Sequence, residues 1–437
     1  MSGISGPSGL SAAHALEATG RTTVIFEQRA TVGGRAQNYY EDGHAFHLGP
    51  LLVSKGSHPE TMKIVNAVNV PVNPYVTSSS WMFDWTTGET WEGTSLTSPT
   101  ISPGLVEEVA RYRAQWQKEY KPFASSLYTN GVPDSLTAST SEWFSIGNYP
   151  LLQAQFIRLL TAWGYGDAEE VPILYALSIL TPDSFAATAS VVDFHEVLVR
   201  WSQQLASTRI RLASKIHYID RTTDPITIHY TIPSEDPPSP QPCSDLILAF
   251  PPTLEFLHGA GLDLTPAEST LFSHVKTSNY FSTAVQLSHI PPLSSFSVAS
   301  SSPATSVDFS GEPVFVQSMY NDSDIAIAYS LASETQSMGE VREISVEVLS
   351  RINRDPGHEG QEAIPVGEDD IRTVQHYPEH YPHVDSEVLR EGWYEEFRGI
   401  QGVNRTFYTS GLNRVEHVEY AILAARDLVE EYFVSRS

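Results

Sequence analysis

Residues 3–34 read GISGPSGLSAAHALEATGRTTVIFEQRATVGG, and the fold is decided here. The alanine- and leucine-rich residues 11–18 favour a helix, and Gly20 permits the left-handed turn that ends it. Residues 22–26 are β-branched or aromatic and predict a strand ending at Glu27. A glycine loop, a helix, a strand and an acidic residue in this order are typical of the later part of a βαβ nucleotide-binding unit.

The residue types in this stretch suit the contacts that a dinucleotide requires. Gly6, Pro7, Ser8 and Gly9 form a loop through which the backbone can approach a pyrophosphate, and the following helix N-terminus offers unpaired N–H groups. Glu27 would accept hydrogen bonds from ribose hydroxyls. The alternative is a plain strand–turn–helix with an incidental acidic residue, and the combined features favour the nucleotide site over it.

Two features depart from the complete motif. Counting back from Gly9, the GxGxxG pattern requires glycines at positions 6 and 4, but position 4 is Ile4 and Gly3 stands one place early. The first strand of the unit should also precede the loop, where the sequence has only a few residues. We expect either an incomplete chain start, which we favour, or a damaged nucleotide site.

Length, composition and charge limit the classes of protein to which the chain can belong. The chain has 437 residues, of which 41% are hydrophobic and 11% aromatic, so two interleaved domains with sizeable cores are expected. A net charge of -26 argues against nucleic-acid partners. Cys243 is the single cysteine, which excludes an internal disulfide. No apolar run is long enough for a membrane span, and we expect a soluble, cytoplasmic protein.

The rest of the chain alternates between helical and extended patterns. Apolar spacing predicts helices over 105–128, 141–165 and 190–205, which we interpret as an inserted helical cap. A hairpin over 81–92 and strands over 280–287, 314–319 and 325–331 suit a mixed sheet. A strand over 407–410 leads through Gly411 into a helix that begins at Val418.

The predicted class is therefore α/β, with a Rossmann-like domain interleaved with a mixed-sheet substrate domain and its cap. We assign residues 1–50, 205–252 and 395–437 to the nucleotide domain, without its first strand if the start is incomplete. Residues 51–204 and 253–394 form the substrate domain with the helical cap. This arrangement predicts a small-molecule ligand between the two domains.

Several stretches resemble known flavoproteins. The first 34 residues, including Gly33-Gly34-Arg35, resemble the FAD-binding start of the amine-oxidase superfamily, and 209–220 followed by 245–251 resembles its second FAD segment. Residues 399–411, GIQGVNRTFYTSG, are similar to the end region of the β-cyclopiazonate dehydrogenase family. Residues 164–172, with Gly-Tyr-Gly-Asp and then Val-Pro, resemble the middle signature of that family.

The resemblance implies a bound FAD and hydride removal from an organic substrate by an enzyme of fungal secondary metabolism. Gly33, Gly34 and Arg35 would take part in the FAD site, and the backbone at Ile216 would contact adenine. Gly411 allows close backbone approach to a flavin, and the helix N-terminus at Val418 would stabilise negative charge on it; the alternative is an ordinary strand-to-helix turn.

Candidate catalytic residues come from two places. His417 and Glu416 precede the C-terminal helix and could meet a substrate, although surface placement is the competing interpretation for either one. Lys276 is our candidate for a lysine beside the flavin, against a solvated strand residue. His376, His380 and His383 do not predict a metal site, because Pro378 and Pro382 break a helix there; we predict a loop and no metal.

Three functions follow from the sequence. The first is an FAD-dependent oxidoreductase that acts on an apolar small molecule. The second is a flavin-using isomerase or cyclase without net redox change. The third is a degenerate, flavin-free member of the fold that binds a ligand or acts as a cyclase, and Ile4 and the missing strand motivate it.

Overall fold

The computed structural model describes residues 5–93, 103–185, 189–233, 239–298, 309–358 and 360–434. Gly3 and Ile4, on which the departure from the glycine motif depends, lie outside these residues. Within the described ranges, no helix combines the length and the hydropathy that a bilayer crossing requires.

Helices and strands alternate along the described parts of the chain. The α-helices are α1 (Pro7–Ala18), α2 (Pro59–Val68), α3 (Pro103–Glu119), α4 (Thr140–Ile146), α5 (Pro150–Ala162), α6 (Ile173–Ile179), α7 (Phe194–Ser202), α8 (Leu254–Gly259), α9 (Pro266–Phe272), α10 (Met338–Ile352), α11 (Ser386–Arg390), α12 (Trp393–Gly399) and α13 (Val418–Val429). The strands are β1 (Val24–Phe26), β2 (Asn38–Glu41), β3 (His44–His47), β4 (Leu52–Val53), β5 (Val72–Pro74), β6 (Ser79–Phe83), β7 (Thr90–Glu92), β8 (Ser190–Val192), β9 (Arg209–Arg211), β10 (Lys215–Asp220), β11 (Ile226–Thr231), β12 (Ser239–Cys243), β13 (Leu246–Leu248), β14 (Lys276–Gln286), β15 (Ser294–Val298), β16 (Pro313–Ser318), β17 (Ile325–Ala332), β18 (Ile371–His383) and β19 (Thr406–Tyr408).

Parallel strand pairs join the start, the middle and the end of the chain. β1 pairs with β9, and β13 pairs with β19. In the described residues these remain two separate two-stranded sheets. Helices α1 and α13 pack against each other through Ala12, Leu16, Ala425 and Leu428, in a cluster that also includes Phe407 of β19. Distant segments of the chain therefore share one apolar core.

Helix α1 begins earlier than the alanine-rich pattern predicts. Pro7 occupies its first turn, where the fixed φ of proline suits a helix and its missing N–H costs nothing. The N-cap residue is Gly6, so no side chain accepts hydrogen bonds from the N–H groups of the first turn. At the other end Gly20 adopts a φ of +81°, the left-handed conformation predicted for it.

The larger sheet has seven strands in the order β18-β14-β17-β16-β15-β6-β7. β15 and β6 are parallel and the other described pairings are antiparallel, so the sheet is mixed. Val348, Leu349 and Ile352 of α10 share an apolar cluster with Phe83 and Val285 of the sheet. The predicted α/β class with a mixed sheet is confirmed.

The predicted loop around His376, His380 and His383 is wrong, because these residues lie in the long strand β18. β18 is an edge strand, so prolines can be accommodated without breaking a central ladder. The pairing of β14 with β18 shifts register on both sides of Ser278, opposite the segment that contains Pro378 and Pro382. Within the described residues, no group of histidine, cysteine and acidic side chains is arranged to hold a metal.

Helices build the cap, but their boundaries differ from the predicted ones. The helix predicted over 141–165 is two helices, α4 and α5, because Asn148 between them has a φ of +53°. The helix predicted over 190–205 begins only at Phe194, after strand β8, where Asp193 caps it by accepting from the N–H of Glu196 at 2.8 Å. Aromatic side chains form the core of the cap, namely Tyr112, Trp143, Phe144, Tyr149 and Phe156.

Candidate active site

One cavity lies where the nucleotide-type segment, the mixed sheet and the helical cap meet. Its volume is about 390 Å³, which is in the range of small-molecule sites. We call it the central cavity. Its lining joins a polar backbone region at the N-termini of α1 and α13 to an apolar region of the cap that includes Leu105, Leu152, Leu159, Ile179 and Leu180.

The first turn of α1 forms one wall of the central cavity. Gly6, Pro7 and Ser8 line it, whereas Gly9 is buried inside the helix. Because no side chain caps α1 at Gly6, the N–H groups of this turn are available to an anion at the cavity wall. The arrangement suits the phosphate groups of a dinucleotide.

The loop Gly33-Gly34-Arg35 lies beside this helix terminus. Gly33 and Gly34 have φ values of +122° and +57°, and a Cβ atom on Gly33 would come within 3.0 Å of the Ala36 carbonyl oxygen. Glycine is therefore required at position 33 for both conformation and space. Gly34 and Arg35 line the central cavity.

Glu27 lies at the end of β1, as predicted, but its carboxylate is fully buried. Oε2 accepts hydrogen bonds from the N–H and hydroxyl groups of Ser5 at 3.1 and 2.6 Å, and Oε1 accepts from the Arg29 N–H at 2.8 Å. Glu27 is not among the residues that line the central cavity. Both carboxylate oxygens of Glu27 therefore already accept hydrogen bonds from the protein.

Ile216 is buried in β10, where it pairs with Tyr230 of β11. Its side chain belongs to the apolar cluster that includes Phe26 and Tyr230. Ile216 does not line the central cavity. The predicted contact with adenine therefore concerns a backbone position outside the cavity wall.

The segment between β19 and α13 forms the wall opposite the sheet. Ser410, Gly411, His417 and Val418 line the central cavity. A Cβ atom on Gly411 would lie 2.9 Å from the Glu416 Cα atom, so only glycine lets these two backbone stretches approach so closely. The N-terminus of α13, where Val418 is the first helical residue, consequently faces the cavity.

Arg35 and Glu416 form an ion pair inside the central cavity. The Tyr381 N–H donates to Glu416 Oε2 at 2.5 Å, and the Tyr165 hydroxyl donates to the Glu416 carbonyl oxygen at 2.7 Å. Glu416 is thus held at both its side chain and its backbone. These contacts make it a partner of Arg35 and leave it poorly placed to act as a free base.

His380 lies 3.6 Å from Glu416, measured from Nδ1 to Oε1, and its Nε2 lies 2.9 Å from the Trp163 carbonyl oxygen. Burial, and then the nearby Arg35 charge, lowers the pKa of His380 to about 3. His380 is therefore neutral at physiological pH, with Nε2–H donating to Trp163. Its ring stacks on Tyr280 at a centroid distance of 4.6 Å.

A second pair of histidines lines the cavity near α13. The rings of His58 and His417 are 4.4 Å apart, and both residues border the cavity. Burial, and then the neighbouring His58 and Arg414, lowers the pKa of His417 well below its ordinary value. The Nδ1 atom of His417 is buried without a hydrogen-bond partner. His417 thus combines a position in the cavity lining with a buried ring nitrogen whose hydrogen-bonding capacity is unused.

His58 gives a testable pH dependence of stability. Its Nδ1 accepts from the Ser54 N–H at 3.3 Å and lies 2.8 Å from the Ser57 hydroxyl, and burial lowers its pKa from 6.5 to about 4. Between these pH values the unfolded chain binds the extra proton, so unfolding becomes easier as the pH falls. We expect His58→Phe to remove about 3 kcal/mol of this acid destabilisation.

The measurement is the free energy of unfolding by urea at several pH values between 4 and 6.5 for both proteins. Comparing the slopes with pH cancels any constant loss from the missing hydrogen bonds of the substituted ring. Parallel slopes for the two proteins would contradict the assignment of a neutral, buried His58.

Lys276 does not meet the expectation of a lysine beside the flavin. Its side chain is 57% exposed at the start of β14, and its ammonium group pairs with Asp385 at 2.6 Å. Lys276 is not part of the cavity lining. The structure therefore removes it from the candidate catalytic residues, because its side chain is solvated and paired with Asp385 away from the cavity lining.

Several cavity residues were not singled out from the sequence. Tyr280 and Tyr329 come from neighbouring strands of the large sheet and stack at 6.0 Å, and His58 precedes α2. Tyr165 does lie within the Gly-Tyr-Gly-Asp motif, which was a signal for it. The sequence carried no such signal for Tyr280, Tyr329 and His58, because only the packing of distant strands and helices brings them to the cavity wall.

Comparisons with known proteins agree with this geometry. Residues 5–68 match the family model described as an NAD(P)-binding Rossmann-like domain. The chain is 21% identical over 427 residues to the FAD-dependent oxidoreductase oblC of Cochliobolus heterostrophus, covering 94% of this chain and 86% of that protein. The chain is thus similar to an FAD-dependent oxidoreductase over most of its length, and its fold is that of amine oxidases.

Solved structures share this amine-oxidase-like fold over nearly the whole chain. The CLA-producing fatty acid isomerase from P. acnes superposes with a TM-score of 0.82 at 22% identity, covering 98% of this chain and 97% of that one. Cyclohexylamine oxidase from Brevibacterium oxydans superposes with a TM-score of 0.63 at 13% identity, again covering 98% and 97%. The closer kinship with β-cyclopiazonate dehydrogenases stays a prediction from the motifs.

Proposed function

We propose that this protein is an FAD-dependent enzyme that removes hydride from a largely apolar small molecule held in the central cavity. The continuity of that cavity carries the proposal. It joins the N-termini of α1 and α13, which suit a dinucleotide and a flavin, to an apolar compartment walled by leucine and isoleucine side chains of the cap. Apolar walls of this kind exclude water from a reacting pair.

The residues present fit FAD at its phosphate and flavin ends. We assign the phosphate contacts to the first turn of α1 at Gly6–Ser8 and to the backbone of the loop Gly33–Arg35, whose Arg35 side chain is paired with Glu416. Gly411 keeps the wall free of a side chain, and the N-terminus of α13 at Val418 favours negative charge. His417, whose buried Nδ1 has no hydrogen-bond partner, lines the same region. FAD, when bound, supplies the hydride acceptor.

The protein side chains of the cavity then have distinct roles. Glu416 holds the Arg35 guanidinium through their ion pair and is itself held by Tyr381. His417, which is neutral and buried, is our candidate for accepting a proton from the substrate. The setting that we propose, fungal secondary metabolism, is supported by the motif resemblance and by the fungal source of one relative.

A second candidate is an isomerase that removes a hydride and returns it, without net redox change. It is favoured by the fold comparison, in which the fatty acid isomerase superposes more closely than the amine oxidase. The mostly apolar cavity suits an acyl chain or another hydrocarbon skeleton as well as it suits a substrate for oxidation.

One experiment tests the proposal and separates the two reactions. We expect the purified protein to be yellow, or to become so after incubation with FAD and removal of the excess. Turnover is then followed with and without oxygen: oxygen uptake in proportion to product indicates oxidation, whereas product formed without oxygen or another acceptor indicates isomerisation. Protein that stays colourless after incubation with FAD contradicts both and supports the flavin-free alternative.

A further inference from the structure

Opposite charges balance each other in the lining of the central cavity. Among the described residues that line it, the ionised side chains are Arg35 and Glu416, and they pair with each other. Glu379, buried on the neighbouring strand β18, adds a second negative charge that acts on Arg35. Arg35, the one cation among the described lining residues, is therefore already neutralised before a substrate enters.

The histidines of the lining do not supply a cation either. His380 contacts the Trp163 carbonyl oxygen, and His58 accepts at Nδ1 from the Ser54 N–H and lies beside the Ser57 hydroxyl. His417 is buried against the ring of His58 and near Arg414, which disfavours a further positive charge. All three imidazole rings are therefore uncharged at physiological pH.

Two segments that lie outside the described residues and adjoin the lining along the chain add no basic residue. Segments 94–102 and 186–188, which adjoin lining residues Leu105 and Ser184 along the chain, contain neither lysine nor arginine. Bound FAD would add phosphate charge beside Arg35 and so would strengthen the bias against anions. A carboxylate moved from water into such a site loses its hydration without gaining a counter-ion.

We infer that the central cavity selects substrates that are uncharged along the part that it buries, such as a hydrocarbon, an alcohol or an ester, and rejects carboxylate groups. The inference rests on the proposed function, because it assumes that the apolar compartment holds the substrate. The Arg35–Glu416 pair is the device that produces the selectivity: it keeps a cation in the lining while denying it to anionic ligands.

The test uses the FAD-loaded protein and two probes with the same alkyl chain: 1-decanol and decanoate. Isothermal titration calorimetry at mildly alkaline pH, where decanoate is charged, gives the affinities. We expect decanol to bind at least about 10-fold more tightly than decanoate. Decanoate binding as tightly as decanol would overturn the inference.

The same titrations distinguish the inference from the function on which it rests. Binding of decanoate with decanol-like affinity leaves an apolar-substrate enzyme intact and defeats only the charge selectivity. FAD-loaded protein that binds neither probe defeats the apolar compartment, and the selectivity with it. This comparison needs no variant and so does not depend on any substituted protein folding.

A substitution tests the device itself. Glu416→Gln keeps the shape of the side chain but releases Arg35 from its lining partner, so we expect decanoate affinity to rise by about 10-fold while decanol affinity changes little. Glu255→Gln, at an exposed position on α8, is the matched control and should change neither. Unchanged decanoate binding in folded Glu416→Gln would show that the ion pair does not govern selectivity.

Discussion

Gly49→Ala is expected to weaken FAD binding by at least about 10-fold, the largest effect of a single added methyl group on the site. A Cβ atom at position 49 would overlap the carbonyl oxygen of Arg35 and approach its carbonyl carbon within 3.1 Å. Backbone atoms cannot rotate away as a side chain can, so the Gly34–Arg35 loop must shift. Overpacking of this kind also costs about 1–3 kcal/mol of stability.

The measurement is a titration of apoprotein with FAD, followed by flavin fluorescence or calorimetry. Gly259→Ala provides a matched control, because a Cβ atom there meets no heavy atom within 4 Å. The unfolding midpoint of each variant separates loss of the site from loss of the fold. If Gly49→Ala binds FAD as tightly as Gly259→Ala does, the close approach of residue 49 to Arg35 does not shape the FAD site.

Glu268→Ala is expected to lower the free energy of unfolding by about 3 kcal/mol, because it leaves a buried guanidinium without its main partner. Arg221 donates to both carboxylate oxygens of Glu268 at 2.7 and 2.9 Å, and the Tyr408 hydroxyl donates to Oε1 at 2.6 Å. The Thr265 N–H donates to Oε2 at 2.8 Å. These bonds tie together the ends of β10, α9 and β19.

The pH dependence of this cluster has a defined sign. Burial alone would raise the pKa of Glu268, but the hydrogen bonds from Arg221 and Tyr408 outweigh it and lower the pKa below 4.5. The contribution of Glu268 to stability is therefore present above pH 4.5 and is lost as the pH falls below that value. Urea unfolding of Glu268→Ala beside Glu255→Ala, an exposed position on α8, measures the effect. Equal stability of the two variants would refute it.

Local sequence patterns predicted the elements that hold the proposed cofactor contacts. Gly20 ends α1 with a left-handed turn that needs the backbone freedom of glycine. Gly411 separates β19 from α13 at a point where a Cβ atom would crowd the Glu416 backbone. The hairpin of β6 and β7 was predicted from two short strand-like stretches around the turn residues Thr86-Thr87-Gly88. Such features are encoded within a few residues, so they can be inferred from one stretch of chain.

Long-range partners were beyond the reach of the same patterns. Lys276 belongs to a strand as expected, yet its surface pair with Asp385 depends on where α11 begins. β18 forms despite its prolines because it lies at the edge of a sheet, a position that a single sequence does not report. The hydrogen bonds of Glu27 with Ser5 likewise changed a ribose candidate into a covered carboxylate.

By itself, the sequence determined that this is an α/β protein with a nucleotide-type segment at its start and a strand–glycine–helix unit at its end. Only the tertiary structure decided that Arg35 pairs with Glu416 and that the rings of His58 and His417 lie side by side. It also decided that leucine side chains of the cap line the same cavity as these two pairs of residues. The physical reason is that propensity and turn chemistry act between near neighbours. Burial and charge pairing act between surfaces that come together only when distant segments fold onto one another.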